Sequence, residues 1–230
     1  PLTEKLHQPD LFEKIRNVIS NFFGALKTYS GRFRFVFITG IMRFQQAALF
    51  SNFNDIRDIS FMALYGGLLG FTETEMKSSF APWIEHAAAV RGEAFESVLK
   101  RLKVQYDGFC FDSSGKTHVY APWSVLNFLS YPEEGYDNYW FQSGGGTFAL
   151  LRNCFHTHQL LDPAKFDRLV YTTMAALRSS SHVSTLDGTQ ILTYTAYLTI
   201  RDASPDGMII LGFPNEEVRQ SLGMLLKTTF

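Results

Sequence analysis

The stretch Phe33-Arg34-Phe35-Val36-Phe37-Ile38-Thr39-Gly40 constrains the fold more than any other part of the chain. From Phe35 onward it is apolar without alternation, the pattern of a strand covered on both faces of a parallel sheet. A helix precedes it. Over residues 10–29, Leu11, Ile15, Val18, Ile19, Phe22 and Leu26 share one face of a 3.6-residue repeat. Asp10 and Glu13 have the spacing of a capping box, and Ser30-Gly31 ends the helix. A helix running straight into such a strand is half of an α/β unit. No second strand of this kind follows Gly40. One buried strand cannot make a sheet, so its partner strands are expected elsewhere, most simply upstream of Pro1.

The rest reads as a mostly helical body with a separate C-terminal pattern. Residues 47–54 fit helix and strand equally. Thr72-Glu73-Thr74-Glu75 is a capping box opening a short helix, and residues 93–106 form a clearer one with Phe95, Val98, Leu99 and Leu102 on one face. Phe109-Cys110-Phe111 and His118-Val119-Tyr120 flank Ser113-Ser114-Gly115-Lys116 as a hairpin. Pro122 starts a helix through Leu129, and residues 147–161 and 163–177 read as two more. Arg178-Ser179-Ser180-Ser181 is the candidate mobile loop. Near the end come a helix over 188–194, strands at 197–201 and 208–211 joined by a Pro205-Asp206-Gly207 turn, and a helix capped by Asn215. Helix, hairpin and helix make a winged-helix-like arrangement.

The 230 residues can bury a large core, and 46% of them are hydrophobic. The net charge of -1 makes no demand for nucleic acid or an anionic membrane. Two cysteines, Cys110 and Cys154, are too few for a disulfide framework and lack metal-ligand spacing. With no 18-residue apolar run and no basic-then-apolar leader, a cytoplasmic location is expected.

Chemistry-bearing patterns are few. No G-x-x-x-x-G-K-[ST] occurs, so the backbone cradle and lysine that hold nucleotide phosphates are missing. Gly144-Gly145-Gly146 lacks a following Lys and reads as a loop or a helix start. His156 and His158 point apart on a helix, and with Cys154 they make no metal site. No G-x-S-x-G is present. Glu133-Glu134 and Glu216-Glu217 read as solvated acids, and Asp107-Gly108 as a turn before a strand. Tyr136-Asp137-Asn138-Tyr139-Trp140-Phe141 could stack bases, but no basic residue lies near it, and a packed hydrophobic anchor is the better reading. Thr39 and Arg43 lie at the C-terminal end of the apolar strand, where α/β sheets hold ligands. A strand cap and a surface arginine would look the same.

Phe35-Val-Phe-Ile-Thr-Gly-Ile-Met-Arg-Phe44 resembles the strand-and-turn signature of the AAA-ATPase-like family, P-loop proteins often fused to a PD-(D/E)XK nuclease-like domain. The resemblance continues through Tyr106-Asp-Gly-Phe-Cys-Phe111, Val119-Tyr-Ala-Pro-Trp-Ser-Val-Leu-Asn127, Tyr139-Trp-Phe-Gln-Ser-Gly144, Leu192-Thr-Tyr-Thr-Ala-Tyr-Leu-Thr199 and Leu211-Gly-Phe-Pro-Asn-Glu-Glu-Val-Arg219. Pro1-Leu2-Thr3 resembles the residues just after the family's acidic Walker B strand, so the chain is expected to begin just past both nucleotide motifs. Ala121 stands where the family pattern has Asn, Met42 where a small hydroxyl residue is common, and Ala196 where Gly is usual. Within these 230 residues no segment resembles the nuclease-like domain.

The resemblance implies a mixed, mostly α fold: the edge of an α/β P-loop ATPase core over 1–54, a mostly helical lid over 55–187 and a winged-helix-like unit over 188–230. It implies that Thr39 is the candidate sensor of the γ-phosphate, with Arg43 beside it as a nucleotide-binding candidate. ATP and Mg are the family's cofactors, and none is expected for this chain alone. The expected partners are an upstream P-loop segment, a nuclease-like domain, another protein or a second copy; the charge does not point to DNA. The leading expectation is a lid-side part of an ATPase that does not hydrolyse ATP by itself. The alternative is a non-enzymatic protein- or DNA-binding module using the winged-helix-like end.

Overall fold

The computed structural model describes residues 8–40, 57–143, 151, 168–179 and 187–229. Helix α1 spans Pro9–Thr28. Proline suits its first position, where the missing N–H would have no partner in any case. The Asp10–Glu13 box does not form: the N-cap is Gln8, without a side-chain cap, and Glu13 instead pairs with Arg16 at 2.6 Å. A 3-10 turn at Ser30–Arg32 ends the helix, as the Ser-Gly step predicts.

Residues 33–40 depart from expectation. They form no ladder with any described strand, and every one of them is exposed, Phe35 at 78%. A strand is held by hydrogen bonds to its neighbours, and among the described residues no neighbour reaches this one. No described residue of α1 is buried either; Val18 and Phe22 face solvent. Arg43 and residues 47–54 lie outside the described residues.

The helical body follows. Helix α2, Glu73–Ser78, carries the expected capping box: the Glu75 N–H donates to Thr72 Oγ1 at 3.3 Å and the Thr72 N–H to Glu75 Oε2 at 2.8 Å. Helix α3, Ala81–Arg91, is not announced by its weak periodicity. It has proline in its first turn and ends at Gly92 in the left-handed conformation. Helix α4, Phe95–Tyr106, buries Val98, Leu99 and Leu102 of its predicted face, and α5, Pro122–Ser130, starts at the predicted proline. Helix α6 is short, Tyr139–Ser143. Together they enclose a core that includes Met76, Ile84, Val98, Leu102 and Phe128, all fully buried.

The C-terminal unit has its own core. Strand β1, Val170–Thr173, runs into helix α7, Met174–Arg178. The helix expected over 163–177 is thus a strand through its described middle. Tyr171, Thr172 and Thr173 favour the pleated sheet, and pairing with a neighbour overrides the helical pattern. Helix α8, Gly188–Tyr194, strands β2, Thr199–Ala203, and β3, Met208–Gly212, and helix α9, Glu216–Thr229, complete the unit. The sheet is antiparallel in the order β1-β3-β2, with Val170 opposite Leu211 and Thr199 opposite Gly212. Its core gathers Leu192, Tyr197, Ile200, Leu211, Val218 and Leu222.

The 109–119 hairpin joins the two cores. It is pinned by one bridge, Phe109 to Val119, and packs those residues into the C-terminal core. The next residue, Tyr120, bridges to Phe71 and belongs to the helical core. The protein is therefore mostly helical, with a small three-stranded sheet among the described residues. No described helix is long and apolar enough to cross a membrane.

Candidate functional site: a buried polar junction

Helix α9 meets the helical body through a cluster of buried polar groups, and Glu217 is its centre. Its side chain is fully buried, although the adjacent acids Glu216-Glu217 read as solvated. Only Glu216 is, paired with Arg219 at 3.0 Å. The Ser124 hydroxyl of α5 donates to the Glu217 carboxylate, 3.0 Å from Oε1 and 2.9 Å from Oε2. The Trp140 N–H, at the start of α6, donates to Oε1 at 2.9 Å. Just before α6, Asn138 donates through Nδ2 to the Glu217 carbonyl at 2.9 Å and accepts at Oδ1 from the Ser221 hydroxyl at 2.8 Å. Two stretches distant in sequence, Ser124 and 138–140, are thus tied to two turns of one helix.

Burial pushes the Glu217 carboxyl up to about 7, against the pull of the Trp140 N–H and the Ser124 hydroxyl, with Asp137 adding to the push. The carboxyl is sealed from solvent and its oxygens already have donors. It can hold and release a proton and fix elements, but it cannot reach an external substrate.

A second contact lies two residues earlier, at the cap of the helix. The Asn215 side chain donates to the Asp107 carbonyl at 2.8 Å and accepts at Oδ1 from the Val218 N–H at 3.0 Å, so it caps α9 and ties it to α4 at once. Gly108 has φ +96, and a Cβ there would sit 2.2 Å from the Pro214 carbonyl oxygen. Arg201 donates to that same carbonyl at 2.9 Å. The register of β2 slips between Ile200 and Asp202, and a bulge of this kind re-aims the extra residue. The Asp107 side chain is buried, which raises its carboxyl above the ordinary range although the Gly108 N–H, Lys103 and His118 oppose this; its Oδ1 has no partner among the described residues.

The hairpin loop contains Gly115-Lys116-Thr117, the ending of a phosphate loop, but Cys110 stands where the first glycine of that pattern would be. The loop is already filled. Asp112, itself buried, accepts from the Ser114 N–H at 2.7 Å and hydroxyl at 2.8 Å, and from the Thr117 N–H at 3.2 Å and hydroxyl at 3.0 Å. Burial works against its charge, but these four donors prevail and hold the carboxyl below its ordinary value.

The aromatic stretch packs as the anchor reading expects. Trp140 stacks on Phe109 at 5.1 Å and meets Tyr197 edge-on at 6.3 Å, while Tyr136 stacks on Phe128 at 4.5 Å. Thr39 is exposed at the end of the 33–40 segment. Arg43, Cys154, His156 and His158 lie outside the described residues. Of the two nucleotide candidates, Thr39 alone falls among the described residues. The described residues also hold no group of three or more His, Cys, Asp or Glu fit for a metal. Sequence reasoning misses the junction because neighbouring acids suggest a wet helix face. The usable signal is Ser221, a small polar residue one turn after Glu217 beside the apolar stripe of Val218, Leu222 and Leu225.

Residues 1–50 match the family model described as AAA-ATPase_like, Predicted AAA-ATPase. The chain is 28% identical over 229 residues to an "Uncharacterized protein in vnfD 5'region" of Azotobacter chroococcum mcd 1. The alignment covers 98% of this chain but 40% of that protein, so the chain spans well under half of the curated relative it matches. No solved structure matches.

Proposed function

Taking the 1–50 match as support for assignment to the AAA-ATPase-like family, we propose that this chain is the lid-side part of such a protein and does not hydrolyse ATP alone. The single observation carrying the reading is where that match falls: on α1 and the apolar 33–40 segment, whose Val18, Phe22, Phe35 and Phe37 face solvent in this chain. In this reading that surface packs on the sheet of a P-loop core, with Thr39 and Arg43 facing the nucleotide. The C-terminal unit, winged-helix-like in its helix–hairpin–helix order, is part of the lid.

The described residues do not make up a site for ATP and Mg. The phosphate-loop pattern is absent from the sequence, and the Gly-Lys-Thr loop already has a carboxylate as its anion. No catalytic step is assigned to this chain. Phosphoryl transfer depends on positioned positive charge and backbone donors, and the described residues supply neither at a shared place.

Two measurements test the reading. Purified chain should release no phosphate from Mg-ATP; turnover that survives Thr39→Ala would overturn the proposal. A family segment bearing Walker A and Walker B, added in trans, should slow amide exchange over 33–38; unchanged exchange counts against the docking of this edge.

The binding-module alternative draws little support from charge. Arg201 is engaged by the Phe213 and Pro214 carbonyls, and Asp202 and Asp206 flank the hairpin turn. A salt-sensitive duplex affinity tighter than about 1 μM in a mobility-shift titration would promote it.

A further inference from the structure

The buried junction does more than join two cores, because its central group can change charge. Glu217 sits where α9 meets α5 and α6, and each neighbour holds it through a different donor: a hydroxyl from Ser124, a main-chain N–H from Trp140, and the Asn138 amide on its own carbonyl. The groups around it do little to compensate a negative charge. Asp137, before α6, is itself an acid; Tyr139 on α6 and Tyr106 on α4 are buried phenols whose ionisation burial opposes. α5 contributes the neutral Ser124, and on α9 Arg219 is paired with Glu216 at the surface.

We propose that Glu217 is a proton-operated latch between the C-terminal unit and the helical body: protonated, it seats α9 firmly, and ionised, it loosens the seat. The direction follows from where the proton is held more tightly. The seated carboxyl keeps its proton up to about 7, whereas in an opened, hydrated junction it would return to the ordinary carboxylate range. Seating is therefore strongest below the ordinary range and weakens as pH rises from there through about 7. Chemically the latch works in both states. A protonated oxygen donates to Ser124 Oγ while the other still accepts from the Trp140 N–H; an ionised one accepts from both but carries a charge away from water. The unit that moves would be α9 with the sheet packed on it, hinged where Gly108 abuts Pro214.

The test is amide exchange at Trp140 in the 230-residue chain, corrected for the intrinsic pH dependence of exchange. The opening equilibrium should rise on the order of thirtyfold between about pH 5.5 and about pH 8.5. In Glu217→Gln, which keeps the shape and has no charge to gain, the profile should be flat. A wild-type profile that is flat or reversed, or a Gln variant with the same slope as wild type, overturns the proposal. Should the variant fail to fold, infrared spectra of wild-type chain with isotope-labelled glutamate decide it. A buried protonated carboxyl band that disappears between about pH 6 and about pH 8 is expected, and its absence at about pH 6 overturns the proposal.

Discussion

Replacing Gly108 with alanine gives the sharpest test of how the junction is built. Two independent costs meet there. At φ +96 an L-residue is strained, by about 1–3 kcal/mol. The added Cβ would also lie 2.2 Å from the Pro214 oxygen and 3.0 Å from its carbonyl carbon, so backbone must retreat by roughly 1 Å to reach ordinary contact distance. That retreat pulls Pro214 from Arg201 and Asn215 from the Asp107 carbonyl, two hydrogen bonds of about 1 kcal/mol each. The reduced freedom of the unfolded chain offsets about 0.4–1 kcal/mol. The net expectation is a loss of about 3 kcal/mol, read as a lower urea midpoint at unchanged slope. Gly92→Ala is the control. It has φ +65 and nothing within 4 Å of its Cβ, so it should cost only about 1 kcal/mol. If the two variants lose equal stability, the close approach to Pro214 is not a structural constraint and the argument fails.

Three further outcomes are expected. Ala196, at φ +60 where the family pattern has glycine, should gain about 1 kcal/mol on replacement by Gly, seen as a raised Tm; a lowered Tm would show that its methyl packs productively. Asp112→Asn removes the acceptor of three of four donors and should cost about 2 kcal/mol, most of it at neutral pH. Because the Asp112 carboxyl is held below its ordinary value, the wild-type advantage is present above the ordinary carboxylate range and fades as pH falls through the lowered value; a wild-type–variant gap that widens in acid would contradict this. Leu222→Ala, at the centre of the C-terminal core, should cost about 2–5 kcal/mol by thermal melting, and a loss below about 1 kcal/mol would mean that core is not packed as described.

Local chemistry is legible in the sequence wherever it decides structure by itself. The Thr72–Glu75 box, the Pro122 start, the Asn215 cap and the Pro205-Asp206-Gly207 turn all lie where their residues predict. The features that escape a sequence reading depend on distant partners. Val170–Thr173 joins a sheet through residues about forty positions later, and no local pattern announces that pairing. The 33–38 segment looks like a buried strand because it is apolar, yet burial needs neighbours and none of the described residues provides them. Glu217 looks wet because acids usually are; its dryness comes from Ser124, 93 residues away. Of the three departures from the resembled pattern, Ala196 is the one whose consequence the backbone displays, a non-glycine residue at positive φ.

The Asp112 loop also bears on ligand competition. A carboxylate tethered three residues from the Gly-Lys-Thr ending acts as an anion whose effective concentration is at least millimolar. It cannot diffuse away, and every donor it occupies is closed to a phosphate arriving from solution. A free phosphate would have to displace it and leave the buried carboxylate without these donors. The same donors would face solvent or an external anion only if Asp112 were removed.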